Sequence, residues 1–273
     1  MWSFSDLIQN FFTHKDFLPS ADKMPGTMFT PLHFIFSACC VVLVVVLAIL
    51  LSKKSERTIK RTFLIVWIAV LVLEITKTVW ETVSGARIYF EWGGFLPLYP
   101  CSIYLYAMPF AIFGNKTLRR AGAGYICTLG LIGGTINYFY PATILGNYSC
   151  ISFAGFHTFF YHGSMFFTAL VMLLSGYHSY RGVTKFTELL TPAIPFLLVS
   201  VLANIVNYSP INSDYMFFKL DSFVFAPVGA VLPPVLCTVI VYAVYLFLHA
   251  VFYLPSYIAN KTRKTAPTEK TAV

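Results

Sequence analysis

Three groups of residues in this 273-residue chain carry functional side chains at spacings that could do chemistry. The first is Cys101, which closes the run Pro97-Leu98-Tyr99-Pro100-Cys101. Proline is tolerated in a first helical turn, so this run places Cys101 close to a helix N-terminus. The positive end of a helix favours a thiolate, which makes the sulfur a candidate nucleophile; an inert packing thiol is the competing reading. The second group is Phe156-His157 and Tyr161-His162-Gly163-Ser164. Five residues correspond to roughly 140° around a helix, so the two imidazoles cannot both point squarely into one site. One addresses the bundle interior and the other a neighbour or the membrane interface, and either is also readable as a hydrogen-bonded packing residue. The third is Glu74, Lys77 and Glu81, whose offsets of three and seven put them on one helical face. They read equally as a buried ion pair that fixes packing or as the charged wall of a cavity. His33, Asn137, Asn204 and Asn207 complete the polar inventory of the apolar segments.

Those residues need elements to hold them, and the elements follow from hydropathy. Seven apolar segments lie at about 31–52, 62–84, 97–114, 121–140, 153–175, 187–207 and 225–254. Each is near or above the roughly 20 residues with which a helix crosses a hydrocarbon core. Basic residues fall on alternate connections: Lys53, Lys54, Arg57, Lys60 and Arg61 after the first segment, Lys116, Arg119 and Arg120 after the third, Arg181 and Lys185 after the fifth. Lys261, Arg263, Lys264 and Lys270 follow the last. The other connections carry little beyond Arg87 and Lys219. Short basic loops stay cytoplasmic. The expectation is an all-α membrane protein, a seven-transmembrane-helix bundle with its N-terminus outside and its C-terminus cytoplasmic, resident in the cell membrane as a multi-pass protein.

Composition excludes several classes. A hydrophobic share of 58% against 11% charged residues does not suit a soluble domain. The net charge of +8 sits at membrane edges, where it orients helices and meets anionic headgroups, so nucleic acid is not an expected partner. The six cysteines show neither metal-ligand spacing nor a disulfide framework, and no cofactor motif is present, so neither a metal nor a cofactor is expected. The N-terminal residues carry Asp6, Asp16 and Asp22 and lack the pattern of a cleavable signal. Residues 1–27 form an outer N-terminal segment, with Trp2, Leu7, Ile8, Phe11 and Phe12 suiting a short interfacial helix. Residues 28–256 form the seven-helix domain and 257–273 a short, frayed basic tail.

With that topology, His33, Lys77, Glu81, Cys101, Asn137, His157 and Asn207 fall toward the outer ends of their helices. Glu74 and His162 sit somewhat deeper, and the cytoplasmic halves are apolar. Polar groups in lipid are costly and usually face the bundle interior, so a polar cavity open to the outer leaflet accounts for the asymmetry.

At these residues the chain resembles the YwaF-type bacterial integral membrane proteins, which are distantly similar to a eukaryotic transmembrane family described as phospholipid acyltransferases. The resemblance rests on Met28-Phe-Thr-Pro-Leu-His33, Glu74 with Lys77, Leu96-Pro-Leu-Tyr-Pro-Cys101-Ser-Ile, Phe159-Phe-Tyr-His162-Gly and Asp214-Tyr-Met-Phe217. Tyr99 stands where the family often has histidine, and Asp214 where it has asparagine. The acyltransferase relatives imply a Cys/His pair, here Cys101 and His162. Such a pair would transfer an acyl group through a thioester, with the imidazole taking and returning the proton. His157 matches Cys101 better in depth but the family pattern less well. Lys77 or Asn137 could stabilise an oxyanion. The implied partner is a membrane phospholipid or another acyl-chain amphiphile.

Two other readings stay open. One is a small-solute or ion-coupled transporter using the Glu74/Lys77/Glu81 face, although no inverted repeat is visible. The other is a non-catalytic receptor or structural protein. Oligomeric state cannot be read from the sequence.

Overall fold

The computed structural model describes residues 2–86, 96–221 and 225–265. After a short N-terminal helix α1 (Phe4–Gln9) come α2 (Pro31–Ser52), α3 (Glu56–Ser84), α4 (Ile103–Phe113), α5 (Lys116–Tyr125), α6 (Leu131–Phe139), α7 (Phe153–Leu174), α8 (Thr187–Asn207) and α9 (Pro234–Thr265). The starts are set by polar caps on apolar runs. Thr30 accepts the His33 N–H ahead of Pro31, Ser55 the Thr58 N–H, Asn115 the Thr117 and Leu118 N–H groups, and Ser152 the Gly155 N–H. Each satisfies donors that a helix start leaves orphaned.

Five helices, α2, α3, α7, α8 and α9, are long and apolar enough to cross a membrane. The faces they leave open are aliphatic: Leu43, Val46, Leu47 and Leu50 on α2, and Ile65, Ile68, Val72, Ile75 and Val79 on α3. A water-facing patch of that size would be untenable, whereas lipid is its natural solvent. The chain is an all-α, multi-pass integral membrane protein, as residence in a cell membrane requires. Helix α7 is the hub: it packs on α2, α3 and α6, and most of its apolar stretch is buried within the protein.

The expected segments 31–52, 153–175 and 187–207 coincide closely with α2, α7 and α8. The others differ for local reasons. Helix α3 begins at Glu56 rather than near 62, because Glu56, Lys60 and Arg119 pair there and let a charged first turn stay helical. Helix α4 has 11 residues, about 17 Å of rise against a core of roughly 30 Å. Pro97 and Pro100 precede the helix instead of forming its first turn, and Pro109 lies inside it. Helices α5 and α6 are joined without a break by a π-turn at Ile126–Gly130. The last apolar segment is divided: a turn of helix at Ala226–Gly229 precedes α9, which continues through Pro255 to Thr265 beyond the expected end near Leu254. Arg87 and Lys270 lie outside the described residues, as do the side chains of Arg263 and Lys264.

The basic connections gather at one end of the bundle. Arg119 bonds Glu56 at 2.9 Å and lies 3.9 Å over the Tyr177 ring, while Arg120 reaches Glu188 at 3.5 Å. These contacts tie the connections after α2, α4 and α7 together. The N-terminal segment packs at the opposite end. Phe11 O accepts the Phe153 N–H at 2.8 Å, Phe12 O accepts Trp80 Nε1–H at 3.0 Å, and the Asp16 carboxylate accepts the Ala86 N–H at 2.9 Å. That last bond, helped by His14 and Lys15, holds the Asp16 carboxyl below its ordinary range. Phe4, Ile8 and Phe12, four residues apart, remain exposed on the outside of this segment.

Candidate functional site

Of the expected site residues, Cys101 and His162 meet where α4 begins against the middle of α7. Cys101 stands two residues before α4, and its backbone is fixed from both sides. Tyr125 donates to Pro100 O at 2.6 Å, and Tyr161 donates to Cys101 O at 3.4 Å. The Cys101 Sγ lies 3.2 Å from His162 Nε2. The other ring nitrogen of His162, Nδ1, is 2.9 Å from the backbone carbonyl of Thr158, one helical turn earlier. A carbonyl can only accept, so Nδ1 carries the proton and Nε2 presents its lone pair to the thiol. The arrangement is a thiol hydrogen-bonded to an imidazole base that a third group orients, the general signature of an activated nucleophile.

Helix α6 closes the far side of the pair. Gly134 is required there: a Cβ would meet Phe166 N at 2.8 Å and His162 O at 2.9 Å, so only glycine lets the two backbones approach this closely. A Cβ on the neighbouring Gly133 would sit 3.8 Å from Cys101 Sγ and 3.5 Å from Met165 Cε, an ordinary contact. Asn137, one turn beyond Gly133 on the same face, is buried with its Nδ2 bonded to no described group.

His157 points elsewhere, as its position five residues from His162 implies. Its Nε2 meets Glu74 Oε2 at 2.8 Å, joining α7 to α3. Lys77 bonds Glu81 at 2.7 Å within α3. The charged face is thus committed in two pairs, one between helices and one along a helix. His33 is fully buried, accepts the Phe29 N–H through Nδ1 at 3.2 Å, and packs against Phe34 and Phe159. Asn207 is turned away from the sulfur. Its amide brackets Tyr215, donating to Tyr215 O at 2.8 Å and accepting Tyr215 N–H at 2.7 Å. Tyr215 in turn lies 5.0 Å, ring to ring, from Tyr99 and binds Leu96 N–H at 3.0 Å, so Asn207 reaches the site only through this loop. Asn204 bonds Tyr242 at 3.0 Å.

Thr158 and Tyr125 support the site yet are not singled out from the sequence, and Tyr161 is read there only as the neighbour of His162. A signal existed only for Thr158, whose carbonyl lies four positions before His162 and so within reach of an imidazole on the same helix. Among the described residues, no cluster of His, Cys, Asp and Glu could hold a metal.

The model of the TMEM164 family matches residues 28–260, from the start of α2 to the last turns of α9. The chain belongs to the TMEM164 family. No curated protein and no solved structure gives a match. The matched span of this TMEM164-family chain includes Cys101, His162, Glu74 and the loop that carries Tyr215.

Proposed function

We propose that the chain is a thiol-dependent acyltransferase that works on phospholipid or a similar acyl-chain amphiphile, with Cys101 as nucleophile and His162 as general base and acid. The observation that carries this reading is the 3.2 Å approach of Cys101 Sγ to the unprotonated Nε2 of His162. In the first step His162 Nε2 takes the S–H proton while sulfur attacks the ester carbonyl. The C–O bond breaks, a thioester remains on Cys101, and the proton passes to the departing lysolipid oxygen. In the second step His162 deprotonates an acceptor hydroxyl, which attacks the thioester and returns the thiol. Water as acceptor would make the same site a hydrolase. Asn137 Nδ2, a donor with no described partner beside this site, is the group suited to the oxyanion, whereas Lys77 is engaged by Glu81.

The resemblance to YwaF-type proteins, and through them to phospholipid acyltransferases, supports the same assignment. In this reading α4 and the joined α5–α6 complete seven crossings, with the N-terminus outside, so the pair works in the outer leaflet. The pairing of Glu74 with His157 and of Lys77 with Glu81 favours a supporting role for the α3 charges over ion coupling.

The test is thiol labelling of intact membranes with an iodoacetamide or acyl-type probe. Wild-type protein is compared with Cys101→Ser and His162→Ala. Labelling lost in Cys101→Ser, despite five other cysteines, and slowed in His162→Ala is the expected result. Labelling indifferent to both changes would leave Cys101 a packing residue and end the proposal.

A further inference from the structure

A cavity of about 800 Å³ lies at the basic end of the bundle between the connection after α7 and the last turns of α9. It shares no lining residue with the Cys101 pair, and the chemistry above makes no use of it. Its wall includes Arg181, His178, Ser179, Ser256, Asn260 and Phe252, so it offers a guanidinium, several hydroxyl and ring donors, an aromatic flank and no carboxylate. Glu188, in the first turn of α8, is held by Arg120 and by the Thr184 and Lys185 backbone N–H groups.

The donors are free for a ligand. His178 is buried, and its Nε2 lies 2.7 Å from the Tyr253 hydroxyl. Burial first, and the Arg120 charge after it, push this imidazole down to about 4, so it is neutral at pH 7. The Tyr253 hydroxyl has no other hydrogen-bond partner among the described residues. With that hydroxyl donating to Nε2, the ring proton lies on Nδ1, which has no described partner and is then a donor at the cavity wall. The Arg181 guanidinium forms no ion pair, and the Ser256 hydroxyl no hydrogen bond, with a described residue. Asn260 is held by its bond to Val183 O at 2.9 Å and Tyr180 by its bond to Cys127 O.

A cavity with one fixed positive charge, neutral N–H and O–H donors and no negative group selects an anion with several acceptor oxygens. Its place at the membrane edge, with Phe252 and Leu173 alongside, adds a surface for the first carbons of an acyl chain. We propose that this cavity is a binding site for the phosphate of an anionic phospholipid, with Arg181 as the principal anchor and His178 and Ser256 as neutral donors. Basic pockets between membrane helices are suited to such headgroups. The site is distinct from the Cys101 pair, and its occupancy ties lipid composition at the basic end to the docking of α9 on the α7 connection.

The experiment titrates detergent-purified full-length protein with dioctanoyl phosphatidic acid, and separately with dioctanoyl phosphatidylcholine and inorganic phosphate. Binding is read by thermophoresis without turnover, so the result stands apart from any chemistry at Cys101. Saturable binding of phosphatidic acid is expected, well ahead of phosphatidylcholine. The exposed Arg181→Gln change should weaken it about tenfold, the loss of one charge-assisted contact, and Arg181→Lys should restore part of it. Inorganic phosphate that binds as tightly as the lipid, with the same Arg181 dependence, would overturn the lipid and leave a soluble phosphate as ligand. Binding of phosphatidic acid unaltered by Arg181→Gln, or equalled by phosphatidylcholine, would overturn the site itself.

Discussion

The Thr158 carbonyl accepts the Nδ1–H of His162 at 2.9 Å, and this bond decides which ring nitrogen faces Cys101. The Thr158 hydroxyl is farther, at 3.4 Å, and is dispensable for that role. Thr158→Val should therefore leave the rate of iodoacetamide labelling at Cys101 essentially unchanged. His162→Gln, which keeps hydrogen bonding but has no basic nitrogen, should lower it by about 10² or more, the usual weight of a general base. A large loss in Thr158→Val would show that the hydroxyl, not the carbonyl, orients the ring.

Glu74 and His157 test whether the α3 charges hold the bundle or take part in chemistry. Glu74→Gln and His157→Gln should each lower the apparent melting temperature, and the double variant should be little worse than either single one. The pair's coupling is expected at about 1–2 kcal/mol, in the range of a hydrogen bond to a charged group. Cys101 labelling should persist in all three. Strict additivity of the two changes would mean that the 2.8 Å contact contributes nothing.

Adjacent glycines of α6 should behave in opposite ways. Gly134→Ala drives a methyl into the α7 backbone at under 3 Å, so a loss of about 1–3 kcal/mol and a poorly folded protein are expected. Gly133→Ala adds only an ordinary contact beside Cys101 Sγ. It should fold like wild type and still react slowly with bulky acyl probes, while small alkylating agents react normally. Comparable melting temperatures for the two variants would contradict the close approach of α6 and α7.

Asn207→Ala removes both bonds to the Tyr215 backbone at a fully buried position, with an expected cost of about 2 kcal/mol. The loop it brackets holds Met216, Phe217 and Leu220 at positive φ, which is strained for such side chains. Limited proteolysis should therefore cut near 212–221 sooner in the variant than in wild type. An unchanged cleavage pattern would mean that the Tyr99 ring against Tyr215 and the Tyr245 hydroxyl, which donates to Met216 O at 3.4 Å, hold the loop unaided.

The N-terminal segment has its own pH signature. The Asp16 carboxyl is held below its ordinary value chiefly by the Ala86 N–H, so its contribution is fully present above the unfolded pKa of about 3.9. It is lost as pH falls through the lower folded value. Protease access to Lys15 should rise on acidification in wild type and be raised already at neutral pH in Asp16→Asn. Equal access at every pH would show that the Trp80 and Phe153 contacts suffice to hold the segment.

Much of the bundle was legible because lipid-spanning helices must be apolar throughout and their basic flanks mark one side. Helices α2, α7 and α8 follow from that rule alone. It fails where polar side chains find partners: Glu56 and Lys60 read as loop, although they pair within α3. It also fails where proline acts, at Pro97 and Pro100 before the shortened α4 and at Pro233 before α9. In the site, helical period separates His157 from His162, but it cannot say which one meets Cys101. That depends on how α4 docks against α7, a relation between segments 61 residues apart. The clamping of Tyr215 by Asn207 and the tyrosine bonds to the Cys101 segment are likewise products of tertiary packing, invisible to any local pattern.

The π-turn at Ile126–Gly130 sets the angular phase of everything after it on the same helix. One surplus residue in a helical turn sets the following side chains back by about 100° relative to an uninterrupted α-helix. Gly133, Gly134 and Asn137 all lie downstream of that shift, while the α5 residues Tyr125 and Gly124 lie upstream of it. The inserted residue acts as a gear between two functions of a single rod, one end keyed to α4 and α9 and the other to the backbone of His162. Deleting one residue from the turn would straighten the rod, yet it would rotate the glycine face off α7 and leave bulky neighbours facing the reactive sulfur.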